Sequence, residues 1–127
     1  MPELPPTPTP RPLKWLGNSK KNLKEFPAEV EDDLGYALFF VQCGVTPANA
    51  KPFKGVGSGV FELVERHDKN AYRVVYGVQI GEKVYVLHAF QKKSKHGIAT
   101  PKGDVALIKQ RYKEAQEDAK NDQKTQS

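Results

Sequence analysis

Hydrophobic residues in the first third of the chain recur at the spacing of a helix. They follow one another at intervals of four, four and three residues, which predicts one buried stripe. The stripe consists of Val30, Leu34, Leu38 and Val41. Pro27 is suited to the first turn of this helix and Gly44 to its end. A shorter helix capped by Asn18 or Ser19, and a short strand at residues 13–16, are predicted before it.

Alternating apolar residues predict three consecutive strands in the middle of the chain. These strands are predicted at residues 60–66, 72–80 and 83–90, and they are rich in Val, Tyr and Phe. Their short connections imply antiparallel neighbours. Residues 46–59, which contain several Pro and Gly, are predicted to form a loop that leads into the first of these strands.

A last helix is predicted from Thr100-Pro101, because proline fits the first helical position. Its apolar stripe, which can dock on the sheet, consists of Val105, Ile108, Tyr112 and Ala115. The order of elements predicts an α+β fold, a small antiparallel sheet with its helices on one face. We expect a proline-rich flexible leader at residues 1–10, one folded domain at 11–115, and a polar fraying tail at 116–127. The leader could instead be a ligand for a proline-recognition domain.

Composition excludes several classes of protein for this chain of 127 residues. A single cysteine, Cys43, excludes an internal disulfide, and the longest apolar stretch, residues 37–41, is too short to span a membrane. No histidine pair has metal-ligand spacing, so neither a metal site nor another cofactor is predicted. The first residues lack the pattern of a signal peptide, and we therefore expect a cytoplasmic protein with no membrane partner.

The net charge of +5 is unevenly distributed along the chain. Residues 25–33 carry −5, which either complements the start of a helix or binds a basic partner. Lysines concentrate in the loop before the predicted sheet and at the end of its last strand. They are Lys51, Lys54, Lys92, Lys93 and Lys95. Alternation places Arg73 between them, on an open sheet face away from the helices.

Convergent cations without neighbouring acids suit a phosphodiester backbone. They also suit RNA cleavage, in which the 2′-OH attacks and a base, a cationic clamp and an acid assist. Crowding lowers the pKa of lysines, so one of them could serve as the base. A solvated basic surface is the competing interpretation. Three roles stay open for His88: a core residue, a residue that stacks on a base, and a proton donor.

Several strings resemble the phage-derived-protein (HigB-like) branch of the RelE/ParE toxin superfamily. They are LKWLG at 13–17, AKPFKG at 50–55, GVFE at 59–62, YRVVY at 72–76 and VLHAFQKKS at 86–94. The resemblance runs from about Arg11 to Tyr112. It implies a RelE-like fold, a small antiparallel sheet with two N-terminal helices packed on it and a C-terminal helix. It also implies a toxin of a type II toxin–antitoxin system, a metal-independent endoribonuclease that inhibits translation by cleaving mRNA on the ribosome.

The resemblance also assigns roles to residues. Lys54, Arg73, Lys92 and Lys93 are the expected catalytic residues, and Lys51, His88 and Lys95 are the expected RNA-binding residues. Arg73 would stabilise the phosphorane, and the basic pair would lie near the leaving group. The chain departs from RelE in having no tyrosine shortly after that pair, since Tyr112 lies nineteen residues past Lys93.

A toxin of this kind implies a cognate antitoxin, with a helix-turn-helix fold and encoded by an adjacent gene. Two other functions stay open at this point. One is a ParE-type toxin that inhibits DNA gyrase, and the other is a non-catalytic module that binds RNA or the ribosome.

Overall fold

The computed structural model describes residues 9–92 and 100–126. The elements in chain order are β1 Leu13–Trp15, α1 Ser19–Lys24, α2 Ala28–Gln42, β2 Ala50–Pro52, β3 Val60–His67, β4 Asn70–Gly77, β5 Val84–Lys92 and α3 Lys102–Gln126. The strands form one five-stranded sheet in the order β1-β5-β4-β3-β2. The predicted α+β class is confirmed. Most of the expected 1–10 leader lies outside the described residues.

Strands β3, β4 and β5 form the predicted antiparallel meander. The turn between β3 and β4 has two residues, Asp68 and Lys69, with φ of 47° and 67°. Positive φ at both positions matches the twist of a two-residue hairpin. At one edge, β1 pairs with β5 in parallel, with Leu13 opposite Val84.

Strand β2 lies inside the stretch that the sequence predicts to be a loop. It is three residues long and pairs antiparallel with β3, with Lys51 opposite Glu62. Its proline and the glycines that follow disfavour a strand by propensity, and the pairing with β3 and the packing of Ala50 on the core stabilise it instead.

Helices α1 and α2 cover one face of the sheet. The predicted stripe of α2 is buried, with each of Val30, Leu34, Leu38 and Val41 at most 4% exposed. These side chains pack against Leu63 and against the alternate residues Tyr72, Val74 and Tyr76 of β4. Burying one such aliphatic side chain stabilises the fold by about 1.5–3 kcal/mol.

Helix α3 covers the opposite face, so the expectation that all helices share one face was wrong. Its Ile108 and Ala115 are fully buried against Val75, Tyr85 and Leu87 of the sheet. The central strands are apolar on both faces, and both faces therefore need a cover. Within the two described ranges, no helix is both long enough and apolar enough to cross a membrane.

Helix α3 continues beyond Ala115, where the sequence predicts fraying. Asp118 Oδ2 accepts hydrogen bonds from Tyr85 Oη at 2.7 Å and Lys83 Nζ at 3.1 Å, and its Oδ1 lies 3.2 Å from Lys14 Nζ. These contacts lower the pKa of Asp118 to about 2, the Tyr85 hydrogen bond contributing most. The polar second half of the helix is thus held by ionic contacts, which hydrophobic periodicity does not reveal.

Arg11 fastens the start of the domain to the β4–β5 connection. Its guanidinium donates to four carbonyl oxygens at 2.8–3.3 Å, those of Val78, Gly81, Glu82 and Lys83. An arginine can satisfy several acceptors at once because its donors form a rigid planar fork. One side chain therefore closes a loop that lacks regular backbone pairing.

Candidate functional site

Arg73 lies in the middle of β4, opposite Val64 of β3 and Phe90 of β5. Its side chain projects to the face opposite α1 and α2, as alternation predicts, but α3 covers that face. The side chain is only 13% exposed, and Nη1 donates to Glu62 Oε2 at 2.9 Å. The expectation of an arginine on an open surface was therefore wrong.

Glu62 is a site residue that the sequence argument missed. Its side chain is 9% exposed, and its second oxygen, Oε1, lies 3.6 Å from Lys51 Nζ. A buried carboxylate thus joins two of the predicted cations, Lys51 and Arg73. The sequence shows no acid within either lysine cluster, but β2–β3 pairing brings Glu62 directly opposite Lys51. Because strand β2 was not predicted, the pairing of Lys51 with Glu62 could not be predicted either.

Lys54 lies in the loop between β2 and β3 and is exposed. The same loop packs Phe53 and Val56 against the second core, next to Tyr112 of α3. A Cβ on Gly57 would come within 2.4 Å of the Tyr112 hydroxyl oxygen, so the loop backbone and the phenol are in close contact. The structure therefore brings a tyrosine to the lysine loop, although Tyr112 is far from the basic pair in sequence.

Lys92 ends β5, with its backbone opposite Ala71 of β4. This position is two residues beyond Phe90, which pairs with Arg73. Lys93 and Lys95, the other lysines predicted at this end of the sheet, lie outside the described residues.

His88 is buried on β5, at 4% exposure, and its ring stacks on Phe90 with centroids 4.8 Å apart. Its Nε2 lies 2.7 Å from Asp104 Oδ1, and its Nδ1 lies 3.4 Å from Arg111 Nη1. Burial, assisted by the charge of Arg111, lowers the pKa of His88 despite the opposing Asp104 contact. Of the roles open in the sequence, these contacts favour a core histidine, because a buried neutral ring offers little to RNA.

Arg111 is a second residue that the sequence argument missed. It is buried, and it donates to the Leu87 carbonyl at 3.0 Å and to Asn18 Oδ1 at 2.7 Å. Gly17 permits this approach, since a Cβ there would lie 2.5 Å from Arg111 Nη2. The arginine joins α3, β5 and the turn before α1, because its guanidinium donates hydrogen bonds to residues of both other segments.

Two arrangements of cations lie on the α3 side of the sheet. In the first, Lys51 and Arg73 contact Glu62, and Lys54 lies in the adjoining β2–β3 loop; both lysines are exposed. Arg111 and His88 form a buried junction with Asp104. Only the first arrangement offers exposed ammonium groups to a ligand, and such groups suit a polyanion. The protein is thus a small α+β domain in which two exposed lysines, Lys51 and Lys54, precede a buried pair formed by Glu62 and Arg73.

Comparison with known proteins gives the family. Residues 21–113 match the family model described as Phage derived protein Gp49-like. The chain therefore belongs to the phage derived protein Gp49-like family, a RelE-like toxin family, and the resemblance to the RelE/ParE superfamily is confirmed. Its class is that of the toxins of toxin–antitoxin systems.

Among solved structures, the chain is similar to the crystal structure of the toxin–antitoxin complex RelBE2 from Mycobacterium tuberculosis. The two chains are 16% identical, with a TM-score of 0.47, and the match covers 67% of this chain and 94% of that chain. No curated protein matches the sequence significantly.

Proposed function

We propose that this protein is the toxin of a type II toxin–antitoxin pair and inhibits translation by cleaving mRNA on the ribosome. The observation that carries the proposal is the cluster of Lys51, Glu62 and Arg73 beside the exposed loop lysine Lys54. Cleavage would proceed by attack of the 2′-OH on the adjacent phosphorus, with the 5′-oxygen as the leaving group. No metal is required, because RNA carries its own nucleophile.

Each cation has a role in this chemistry. Arg73 would stabilise the charge that develops on the phosphorane, and Lys51 would hold the neighbouring phosphate. Lys54 is free to bind phosphate, because its side chain is exposed in the β2–β3 loop. It would accept the 2′-OH proton only in its neutral amine form. Further phosphates of the RNA would bind the lysines at and after the end of β5, which are Lys92, Lys93 and Lys95. The first two of these would lie near the leaving group.

A toxin of this activity requires an antidote. We propose a small cognate antitoxin with a helix-turn-helix fold, encoded by an adjacent gene, that supplies acidic groups to Lys51 and Lys54. Cytoplasmic location follows from the proposed ribosomal target. Co-expression of the neighbouring small gene should restore growth, and failure of every adjacent small gene to do so would contradict this partner.

The decisive experiment maps transcript 5′ ends shortly after induction from a tight promoter. The wild type should arrest growth and create new 5′ ends within coding sequences, whereas Lys54→Ala/Arg73→Ala should do neither. The charge-matched control is Lys21→Ala/Lys24→Ala, which removes two exposed positive charges from α1, on the opposite face of the sheet. Growth arrest by the Lys54→Ala/Arg73→Ala variant at wild-type strength would overturn the nuclease proposal.

A second candidate function is a non-catalytic module that binds RNA or the ribosome. The neutralisation of Arg73 by Glu62 favours it, because a paired arginine attracts phosphate less strongly. Such a module would bind RNA with a steep salt dependence and leave transcripts intact. A ParE-type activity against gyrase would also leave transcripts intact, and DNA breaks would accumulate instead.

A further inference from the structure

The Arg73 guanidinium is retained in a nearly buried position by one carboxylate. Nη1 donates to Glu62 at 2.9 Å, while Nε is buried and has no hydrogen-bond partner among the described residues. A buried N–H without an acceptor destabilises the fold, because its hydrogen bond to water is lost and not replaced. A long flexible side chain would leave such a position for water unless another contact outweighed that cost. Glu62 provides this contact.

Glu62 is itself held firmly. It lies on β3, the strand between β2 and β4, with Lys51 opposite on one side and Val75 opposite on the other. Its Oε2 faces Arg73, and its Oε1 faces Lys51 at the exposed rim. Because the glutamate side chain is shorter than that of arginine and has fewer rotatable bonds, the buried carboxylate is a fixed anchor for the more flexible arginine.

We propose that Glu62 is a positioning residue that orients Arg73 toward the scissile phosphate without contacting RNA. The inference rests on the proposed function, since it assigns a role within the same site. A direct contact between Glu62 and RNA is disfavoured, because the carboxylate is buried and would repel a phosphate. The anchor instead fixes the direction of the Arg73 charge, which stabilises a transition state only when it is correctly placed.

Two substitutions separate position from charge. Glu62→Asp retains the charge and shortens the side chain by one methylene, so the carboxylate withdraws from Arg73 Nη1. Glu62→Gln retains the length and removes the charge. Glu117→Gln on the exposed side of α3 is the matched control for loss of one carboxylate. Thermal unfolding of each variant verifies its fold, and if Glu62→Asp does not fold, Glu62→Gln decides the question.

The first measurement requires no RNA. Phenylglyoxal modifies accessible arginines, and mass spectrometry gives the rate for each residue. In the wild type and in Glu117→Gln, Arg73 should react about tenfold more slowly than the exposed Arg66, because burial and pairing protect it. In Glu62→Asp and Glu62→Gln this protection should be largely lost. Unchanged protection of Arg73 in both variants would overturn the proposal.

The second measurement separates RNA binding from turnover. Glu62→Asp should bind a short RNA with wild-type Kd, yet cleave it at saturation about tenfold more slowly. Glu62→Gln should bind more tightly, because a negative charge has left the site, and also cleave more slowly. Wild-type turnover in Glu62→Asp, or weaker RNA binding by Glu62→Gln, would contradict the positioning role. If the wild type cleaves no RNA, the proposed function fails, while the modification rates still decide whether Glu62 holds Arg73.

Discussion

Arg111 Nη1 lies 3.4 Å from His88 Nδ1, and this contact determines the tautomer of the histidine. A guanidinium has donors only, so Nδ1 must be the acceptor and the ring proton must reside on Nε2. Nε2–H then donates to Asp104 Oδ1 at 2.7 Å. The hydrogen bonds therefore run in one direction, from Arg111 of α3 through His88 of β5 to Asp104 at the start of α3.

This direction predicts a neutral His88 with its proton on Nε2. Because burial, together with Arg111, lowers the pKa of His88 below 6.5, the unfolded chain binds more protons than the folded protein as the pH falls. The contribution of His88 to stability is thus complete above pH 6.5 and is lost as the pH falls through its folded pKa. Nitrogen-15 NMR across a pH titration reports both the tautomer and the pKa. A neutral ring that carries its proton on Nδ1, or a pKa of His88 above 6.5, would contradict the prediction.

The close approach of Arg111 to Gly17 predicts a large cost for a single methyl group. Gly17→Ala places Cβ 2.5 Å from the guanidinium and forces an alanine to φ +53°. We expect it to lower the free energy of unfolding by about 1–3 kcal/mol. Gly35→Ala is the matched control, because this α2 position has nothing within 4 Å of the added Cβ. Its free energy of unfolding should rise by about 0.5–1 kcal/mol, as expected for Gly to Ala in a helix. Urea titration measures both, and equal effects would contradict the structure.

Replacement of Glu65 on β3 should stabilise the protein in a pH-dependent way. Burial raises its pKa to about 7, and Asp33 and Glu29 of α2 contribute further. Because the folded pKa is raised, ionisation above that value destabilises the fold relative to the unfolded chain. Glu65→Gln should therefore stabilise the protein at pH 8 by up to about 1 kcal/mol, after allowance for solvent screening.

At pH 4 the Glu65 carboxyl is protonated in both states, so the advantage of Glu65→Gln should vanish there. Thermal unfolding at the two pH values checks this difference. Glu117→Gln should show no comparable gain at pH 8, since it lies on the exposed side of α3. A gain for Glu65→Gln that is equal at both pH values would point to packing and not to charge.

The four carbonyl contacts of Arg11 predict that its shape matters as well as its charge. Arg11→Lys retains the positive charge but cannot reach four acceptors with one ammonium group. We expect Arg11→Ala to lower the free energy of unfolding by about 1–3 kcal/mol. Arg11→Lys should restore less than half of that loss. Hydrogen exchange of the amides from Val78 to Val84 should accelerate in both variants, while exchange in α2 should not. Full recovery by lysine would show that charge alone suffices.

Local patterns predicted the elements whose stabilising contacts are close in sequence. The α2 stripe from Val30 to Val41 and the meander are examples, because their periodicity reflects burial directly. Strand β2 was missed, since it is stabilised by pairing with β3 and by packing of Ala50 on the core, and both contacts are with residues outside its own segment. The side of the sheet that α3 occupies could not be read from its own stripe, because an amphipathic helix fits either apolar face.

The site was predicted in part for the same reason. Lys51 and Arg73 do come together, but through Glu62, which becomes their neighbour only when β2 and β4 both pair with β3. Arg111 and Asn18 are far apart in sequence, and no local pattern links them. Charge composition located the basic loop around Lys54 and could not reveal which cations are already paired.

The parallel pairing of β1 with β5 has a consequence for synthesis of the chain. Strand β1 leaves the ribosome well before its partner residues Val84–Val86, and α3, which covers the second face, follows them. Until α3 is released, the apolar side chains of Tyr85 and Leu87 have no helix to pack against. The second face of the sheet therefore stays uncovered in the nascent chain until α3 has followed β5 out of the ribosome.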